Sequence, residues 1–175
     1  MPQDLDKLAP PPLPPLPDEG PPLPSAAPPL EARAAEIDPD TLTACILAAV
    51  PAGTKPREIR AIAVRHMAEA RASAMAALAQ AFAERPREAR PLVTAISQVT
   101  DALVTTAFAI ARKLHPLANP TGQERIALLA VGGYGRAEMA PFSDVDLLFL
   151  TPWKITPWAE SVIESLLYML WDLKL

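Results

Sequence analysis

One cysteine, Cys45, stands among 175 residues. No intrachain disulfide can form, so packing alone must hold the fold. Aromatic residues make up only 5% of the chain, while the apolar fraction of 50% leans on alanine. Such a composition suits closely packed amphipathic helices better than a core of large rings. An excess of positive charge is also missing. Sixteen Lys and Arg against twenty Asp and Glu leave a net charge of −4. Nucleic-acid-binding domains tend to be strongly basic, so no nucleic-acid partner is expected; a single nucleotide needs only local positive groups. No apolar run approaches the ~18 residues that span a bilayer, and no membrane partner is expected. Asp4 and Asp6 stand beside Lys7 with no apolar stretch after them, so no secretory signal is expected. Cytoplasmic localisation is the natural expectation. The two histidines, His66 and His115, are followed by Met67 and Pro116, so neither forms a His-Asp metal pair, and both are expected to be ordinary surface or packing residues.

Proline, by contrast, is abundant: 22 residues, 12 of them within the first 30. The run Pro10-Pro11-Pro12-Leu13-Pro14-Pro15-Leu16-Pro17 favours polyproline II, which has no internal hydrogen bonds. Residues 1–36 are therefore expected to form a disordered arm. A helical region over 37–118 follows. Asp38-Pro39-Asp40 reads as a capped helix start, after which Leu42, Cys45, Ile46 and Ala49 share one face until Pro51-Ala52-Gly53. A long helix is expected over about 57–84, with Ile59, Ile62, Ala63, Met67, Ala70, Ala74, Leu78 and Phe82 at three- and four-residue steps. A second is expected over about 88–114, with Leu92, Ile96, Val99, Leu103, Ala107, Ile110 and Leu114 inward. Two such helices joined by a short turn predict an antiparallel helical hairpin. Seven arginines against four glutamates between Arg57 and Arg90 read as a solvated face.

The pattern changes over 119–175. Ile126-Ala127-Leu128-Leu129-Ala130-Val131 is a short continuous apolar run, consistent with a buried strand. It leads into Gly132-Gly133. Asp144 to Leu150 reads as a second strand after a turn near Pro141, and Pro157 opens a final helix. In a strand, residues i and i+2 share a face, roughly 6–7 Å apart. Asp144 and Asp146 should project together while Val145 and Leu147 face into packing. Two like charges side by side repel, and a divalent cation between them removes the repulsion. Mg2+ prefers oxygen ligands and is commonly held by one or two carboxylates plus substrate phosphates. Gly132 and Gly133, lacking Cβ atoms, let the backbone approach a triphosphate and offer N–H donors. Arg136 could add a charge-assisted contact to phosphate, and Ser143 joins the candidate nucleotide-binding set. Neither a dinucleotide fingerprint nor a P-loop is present: Glu138 replaces the third glycine, and no Gly-Lys-Ser/Thr follows.

The Gly-Gly-x10-Asp-x-Asp pattern is similar to that of the DNA polymerase β-like nucleotidyltransferases. The longer stretch from Gly132 to Leu148 resembles the bacterial bifunctional uridylyltransferase/uridylyl-removing family, which modifies the nitrogen-signalling protein PII. Leu167-Tyr168-Met169-Leu170-Trp171-Asp172 is also similar to a stretch of that family. The resemblance implies an α+β fold: an N-terminal helical hairpin, then the start of a polymerase β-like sheet that is incomplete in this chain. It implies Mg2+ as cofactor, Asp144 and Asp146 as catalytic metal ligands, and UTP as donor of UMP to a tyrosine of PII. In the family, glutamine controls the parent enzyme, and hydrolytic removal of UMP belongs to a separate HD domain absent here. A third carboxylate would lie beyond Leu175, so the fragment is expected to be inactive by itself.

Two other readings stay open on the residues alone. One is a different protein-modifying nucleotidyltransferase, such as the glutamine synthetase adenylyltransferase type, which usually lacks the Tyr134-Gly135 and Pro141 combination. The other is a non-catalytic interaction module, which would not bind Mg2+ with UTP.

Overall fold

The structure is a computed structural model that describes residues 37–87, 89–117 and 121–175. The arm expected over residues 1–36 lies outside the described residues. Three helices come first: α1 (Pro39–Ala48), α2 (Pro56–Glu84) and α3 (Ala89–Leu114). A strand β1 (Ala127–Ala130), a single helical turn α4 (Gly132–Gly135), a strand β2 (Leu147–Leu150) and a helix α5 (Pro157–Asp172) complete an α+β arrangement.

Local chemistry explains where the helices begin. Asp38 caps α1 by accepting the Thr41 N–H at 2.8 Å, with Pro39 in the first turn. Thr156 caps α5 in the same way through the Ala159 N–H, again with proline behind it. Arg112 and Lys113 lie in the last turn of α3, where cations complement the helix dipole.

α3 is the centre of the fold and packs against α1, α2 and α5. Ile96, Val99, Leu103, Ala107 and Ile110 are buried along it, and Leu92 and Leu114 pack at the margin. From α2, Ala63, Met67, Ala74 and Leu78 are buried. By length and composition α3 could cross a membrane, yet 61% of its most apolar window is buried within the protein. It is long and apolar because neighbours surround it. α1 departs from expectation: Ile46 is buried, but Cys45 and Ala49 on the expected face are exposed. A helix of ten residues lying against a larger pair needs only a narrow seam.

β1 and β2 pair antiparallel, with Ala127 opposite Leu150 and Ala130 opposite Leu147. The Val131 N–H extends the ladder by one bond to the Asp146 carbonyl, at 3.1 Å. β1 is not the fully buried strand expected from its continuous apolar run. Ile126 and Leu128 pack on the core, whereas Ala127, Leu129 and Ala130 are exposed. The helices cover only one face of the sheet, so a run apolar on both faces is half uncovered. The C-terminal helix is pinned separately. Trp158 Nε1 donates to the His115 carbonyl at 2.8 Å, His115 Nε2 bonds Ser165 Oγ at 2.8 Å, and Arg71 donates to the Leu173 carbonyl at 2.8 Å. His115 thus serves packing.

Leu103 is fully buried at the middle of α3. Leu103→Ala should cost about 2–5 kcal/mol, as large-to-small core substitutions do, and Leu103→Asp should leave an unpaired charge in the core and unfold the chain. Urea denaturation followed by circular dichroism checks both. A Leu103→Asp variant as stable as wild type would remove α3 from the centre of the fold.

Candidate nucleotide and metal site

The candidate site lies where the two-stranded ladder opens out. β2 as a hydrogen-bonded strand begins only at Leu147, so Asp144 and Asp146 stand in the extended segment leading into it. Their alternation is nevertheless that of a strand. Asp144, Asp146, Leu148 and Leu150 are exposed, while Val145, Leu147 and Phe149 pack on the core. The shared face expected for the two carboxylates is therefore present, although the ladder stops just before them. Neither carboxylate has an ion-pair partner among the described residues.

Gly132 explains itself through Asp146. It has φ +61°, a left-handed conformation that favours glycine. A Cβ added there would lie 2.5 Å from Asp146 Oδ2. The carboxylate thus occupies the space that any other residue would fill. Gly135 has a different reason: its Cβ would sit 2.6 Å from the Ala130 carbonyl oxygen, so the α4 turn closes directly on the end of β1. At Gly133 the nearest atom would be 3.7 Å away, ordinary van der Waals contact, and packing does not demand a glycine.

Arg136 is exposed and braces the turn. Its Nε donates to Glu138 Oε2 at 3.0 Å and a terminal nitrogen donates to the Gly132 carbonyl at 2.8 Å. Ser143 donates from both its N–H (3.2 Å) and its hydroxyl (2.9 Å) to the Ala140 carbonyl. The structure brings Gly132, Arg136 and Asp146 into one cluster. Ser143 and Asp144 lie instead on a groove of about 260 Å3 shared with Phe142 and Met139. A larger cavity, about 570 Å3 between Phe108, Arg125 and Trp158, is at the Ala127–Leu150 end of the ladder, away from the carboxylates.

Sequence reasoning missed the residues that hold the site in place. Tyr134, in the middle of the glycine turn, is buried, and its hydroxyl donates to Asp101 Oδ1 on α3 at 2.6 Å. Farther along, the buried Met139 donates its N–H to Ser97 Oγ at 3.3 Å, one turn of α3 away. Burial, and after it the hydrogen bond and charge of Asp101, push the Tyr134 hydroxyl well above its ordinary value of 10.0. Among the described residues no cluster of three or more His, Cys, Asp or Glu side chains forms a closed metal cage. An exposed pair of hard oxygen donors without a neutralising cation still suits Mg2+, which takes its remaining ligands from phosphate and water.

Substitution of the three glycines should separate their reasons. Gly135→Ala should destabilise most, since backbone atoms cannot move aside, and Gly132→Ala should displace Asp146 and add about 1 kcal/mol or more of backbone strain. Gly133→Ala should melt like wild type. Thermal denaturation of the three variants checks that order, and an unaffected Gly135→Ala protein would contradict the close approach. Tyr134 gives a second test. Its raised value means that its contribution to stability is complete below about pH 10 and is lost only as pH rises toward the folded value. Alkaline ultraviolet titration should show a tyrosine that stays protonated until the fold opens, and Tyr134→Phe should abolish that late step.

Comparison with known proteins gives the family. Residues 73–170 match the family model described as "Putative nucleotidyltransferase DUF294". The match starts within α2 and ends within α5, covering the helical core as well as the carboxylate pair. The chain is 63% identical over 146 residues to a bifunctional uridylyltransferase/uridylyl-removing enzyme of Cereibacter sphaeroides, covering 82% of this chain and 16% of that protein. It is 60% identical over 118 residues to the protein of the same name from Ruegeria pomeroyi, covering 67% and 13%. The corresponding protein of Bradyrhizobium diazoefficiens is 40% identical over 145 residues, covering 80% and 16%. The chain thus spans between about an eighth and a sixth of the length of these relatives. No solved structure matches it. With over half its residues inside the family match, the chain belongs to the DUF294 nucleotidyltransferase family, and its high-identity relatives are bifunctional uridylyltransferase/uridylyl-removing enzymes.

Proposed function

We propose that this chain supplies the carboxylate pair and the phosphate-facing turn of an enzyme that transfers UMP from UTP to a tyrosine of the signalling protein PII. One observation carries the reading. The Asp146 carboxylate fills the space at Gly132 that a side chain would need, with Asp144 on the same open face and, among the described residues, no cation paired to either. A glycine turn against an unneutralised carboxylate pair is suited to a polyanion that arrives with its own metal ion. The names of the high-identity relatives favour uridylyl transfer over adenylyl transfer or a non-catalytic role.

In this reading α2 and α3 form a helical hairpin that carries the opening strands of a polymerase β-like sheet. Asp144 and Asp146 would hold Mg2+, which would supply charge neutralisation and Lewis-acid polarisation to a bound phosphate. Gly133, where packing leaves room for a Cβ, keeps the backbone N–H groups open to the phosphate tail. Two nitrogens of Arg136 hold the turn, and its third is free to meet an anion. The Ser143 hydroxyl fixes the turn that precedes Asp144. Transfer to PII, its control by glutamine, and hydrolytic removal of UMP are activities of a longer enzyme carrying this segment, and the chain by itself is inactive.

Asp144→Asn and Asp146→Asn keep side-chain shape and remove charge. Each variant should fold with an unchanged melting temperature or a slightly higher one, because like-charge repulsion falls. Calorimetric titration of the chain with UTP in the presence of Mg2+ should show binding in wild type and at least about a tenfold loss in each variant, roughly 1.4 kcal/mol. In a full-length enzyme the same changes should lower UMP transfer by orders of magnitude while removal of UMP persists. A double Asn variant that binds UTP as wild type does, or transfers UMP at the wild-type rate, would refute the site.

A further inference from the structure

Phe142 is an aromatic residue that lines the same groove as Asp144. It is fully exposed, at 102% relative accessibility. Its backbone sits at φ +66°, where a bulky non-glycine residue is a conformational outlier. An aromatic side chain ordinarily offers a large area for burial, so a strained backbone that presents the ring to solvent sacrifices stability twice. The turn is well fixed. Both Ser143 donors close on the Ala140 carbonyl, and Met139 is buried and bonded to Ser97. The ring is therefore displayed by an anchored turn.

The groove on which Phe142 stands has a definite character. Ile96, Val99 and Met139 give it apolar lining, and Asp144, Arg71 and Lys174 give it charged groups of both signs. Its volume of about 260 Å3 falls just below the range of about 300–1,000 Å3 of complete small-molecule sites. It suits part of a nucleotide. The carboxylate pair also has two sides. Asp146 abuts Gly132, whereas Asp144 lines the groove. A nucleotide whose phosphate tail lies toward the glycine turn therefore has its nucleoside end on the groove side.

We propose that this groove is the nucleobase subsite and that Phe142 is a substrate-binding residue that stacks on the base. The inference rests on the nucleotidyl-transfer reading and adds the orientation of the substrate and the residue that meets its base. Stacking on one aromatic ring tolerates any base, because every base has a π-face. Phe142 then supplies affinity for a nucleoside over bare polyphosphate, and the choice among bases is left to polar groups around it.

The test uses the 175-residue chain, Mg2+ and two ligands measured by calorimetric titration: UTP and inorganic tripolyphosphate. Phe142→Ala should weaken UTP by about tenfold or more, the scale of one base stacked on one ring. Tripolyphosphate should be unaffected, and Phe142→Trp should restore UTP binding. Because the ring packs against nothing, melting temperatures should not change. Equal loss of both ligands would mean that the turn had moved the carboxylates, and it would overturn the stacking role. Unchanged UTP affinity in Phe142→Ala would also overturn it, and would leave the ring to a protein acceptor. If wild type binds neither ligand, the nucleotidyl-transfer reading itself fails; if wild type binds both and Phe142→Ala changes nothing, only the base subsite fails.

Discussion

The hydrogen bond from Tyr134 to Asp101 joins the two halves of this molecule at the point where they must agree. On one side is α3, the helix surrounded by α1, α2 and α5. On the other is a glycine turn of four residues, too short to hold a position by its own hydrogen bonds. Tyr134 inserts its ring beneath the turn and ends on an α3 carboxylate, and Met139 reaches Ser97 on the same helix. The two tethers hold residues 134–139 on α3, with Gly132 against Asp146 just before them and the turn ending at Ser143 just after. A neutral phenol suits this role, since burial and the neighbouring carboxylate both disfavour its ionised form.

The electrostatics of the site follow from what the tethers leave exposed. Asp144 and Asp146 share the solvent face of the ladder with Leu129, Leu148 and Leu150. A stretch of apolar surface thus continues directly from a pair of unneutralised carboxylates. Water keeps the cost of two adjacent charges low while the face is open. Anything that covers the face raises that cost, and a divalent cation bound with a polyphosphate lowers it again. In the proposed function, occupation of the site and covering of the sheet would therefore be coupled by the same two side chains.

Much of this was legible in the sequence, and the misses have physical causes. The three- and four-residue spacing from Leu92 to Leu114 is a direct image of a helix buried along one face, and α3 is buried there. The apolar run over 126–131 misled because periodicity reports what a strand could bury, whereas burial depends on how many layers are present. Cys45 and Ala49 misled because a ten-residue helix touching a larger pair uses a narrower seam than the pattern allows. For Asp144 and Asp146 the alternation was readable, since Val145 and Leu147 do turn inward, while the end of the ladder at Leu147 depends on the partner strand and could not be. Tyr134 and Ser97 were out of reach for another reason: a contact spanning 33 residues or 42 residues leaves no periodic trace.

The family match gives the helices a further meaning. It begins at residue 73, more than fifty residues before the glycine turn, and includes all of α3. If the helices were an independent appendage, a nucleotidyltransferase pattern would have no reason to extend over them. The tethers supply one. Ser97 and Asp101 occupy neighbouring turns on one side of α3, and each receives a hydrogen bond from the segment that carries the glycines. A substitution that rotates or shifts α3 would move both acceptors together and carry the glycine turn away from Asp146. The helix buried deepest in the core is thus also the ruler against which the site is set, and packing errors far from the carboxylates should register there first.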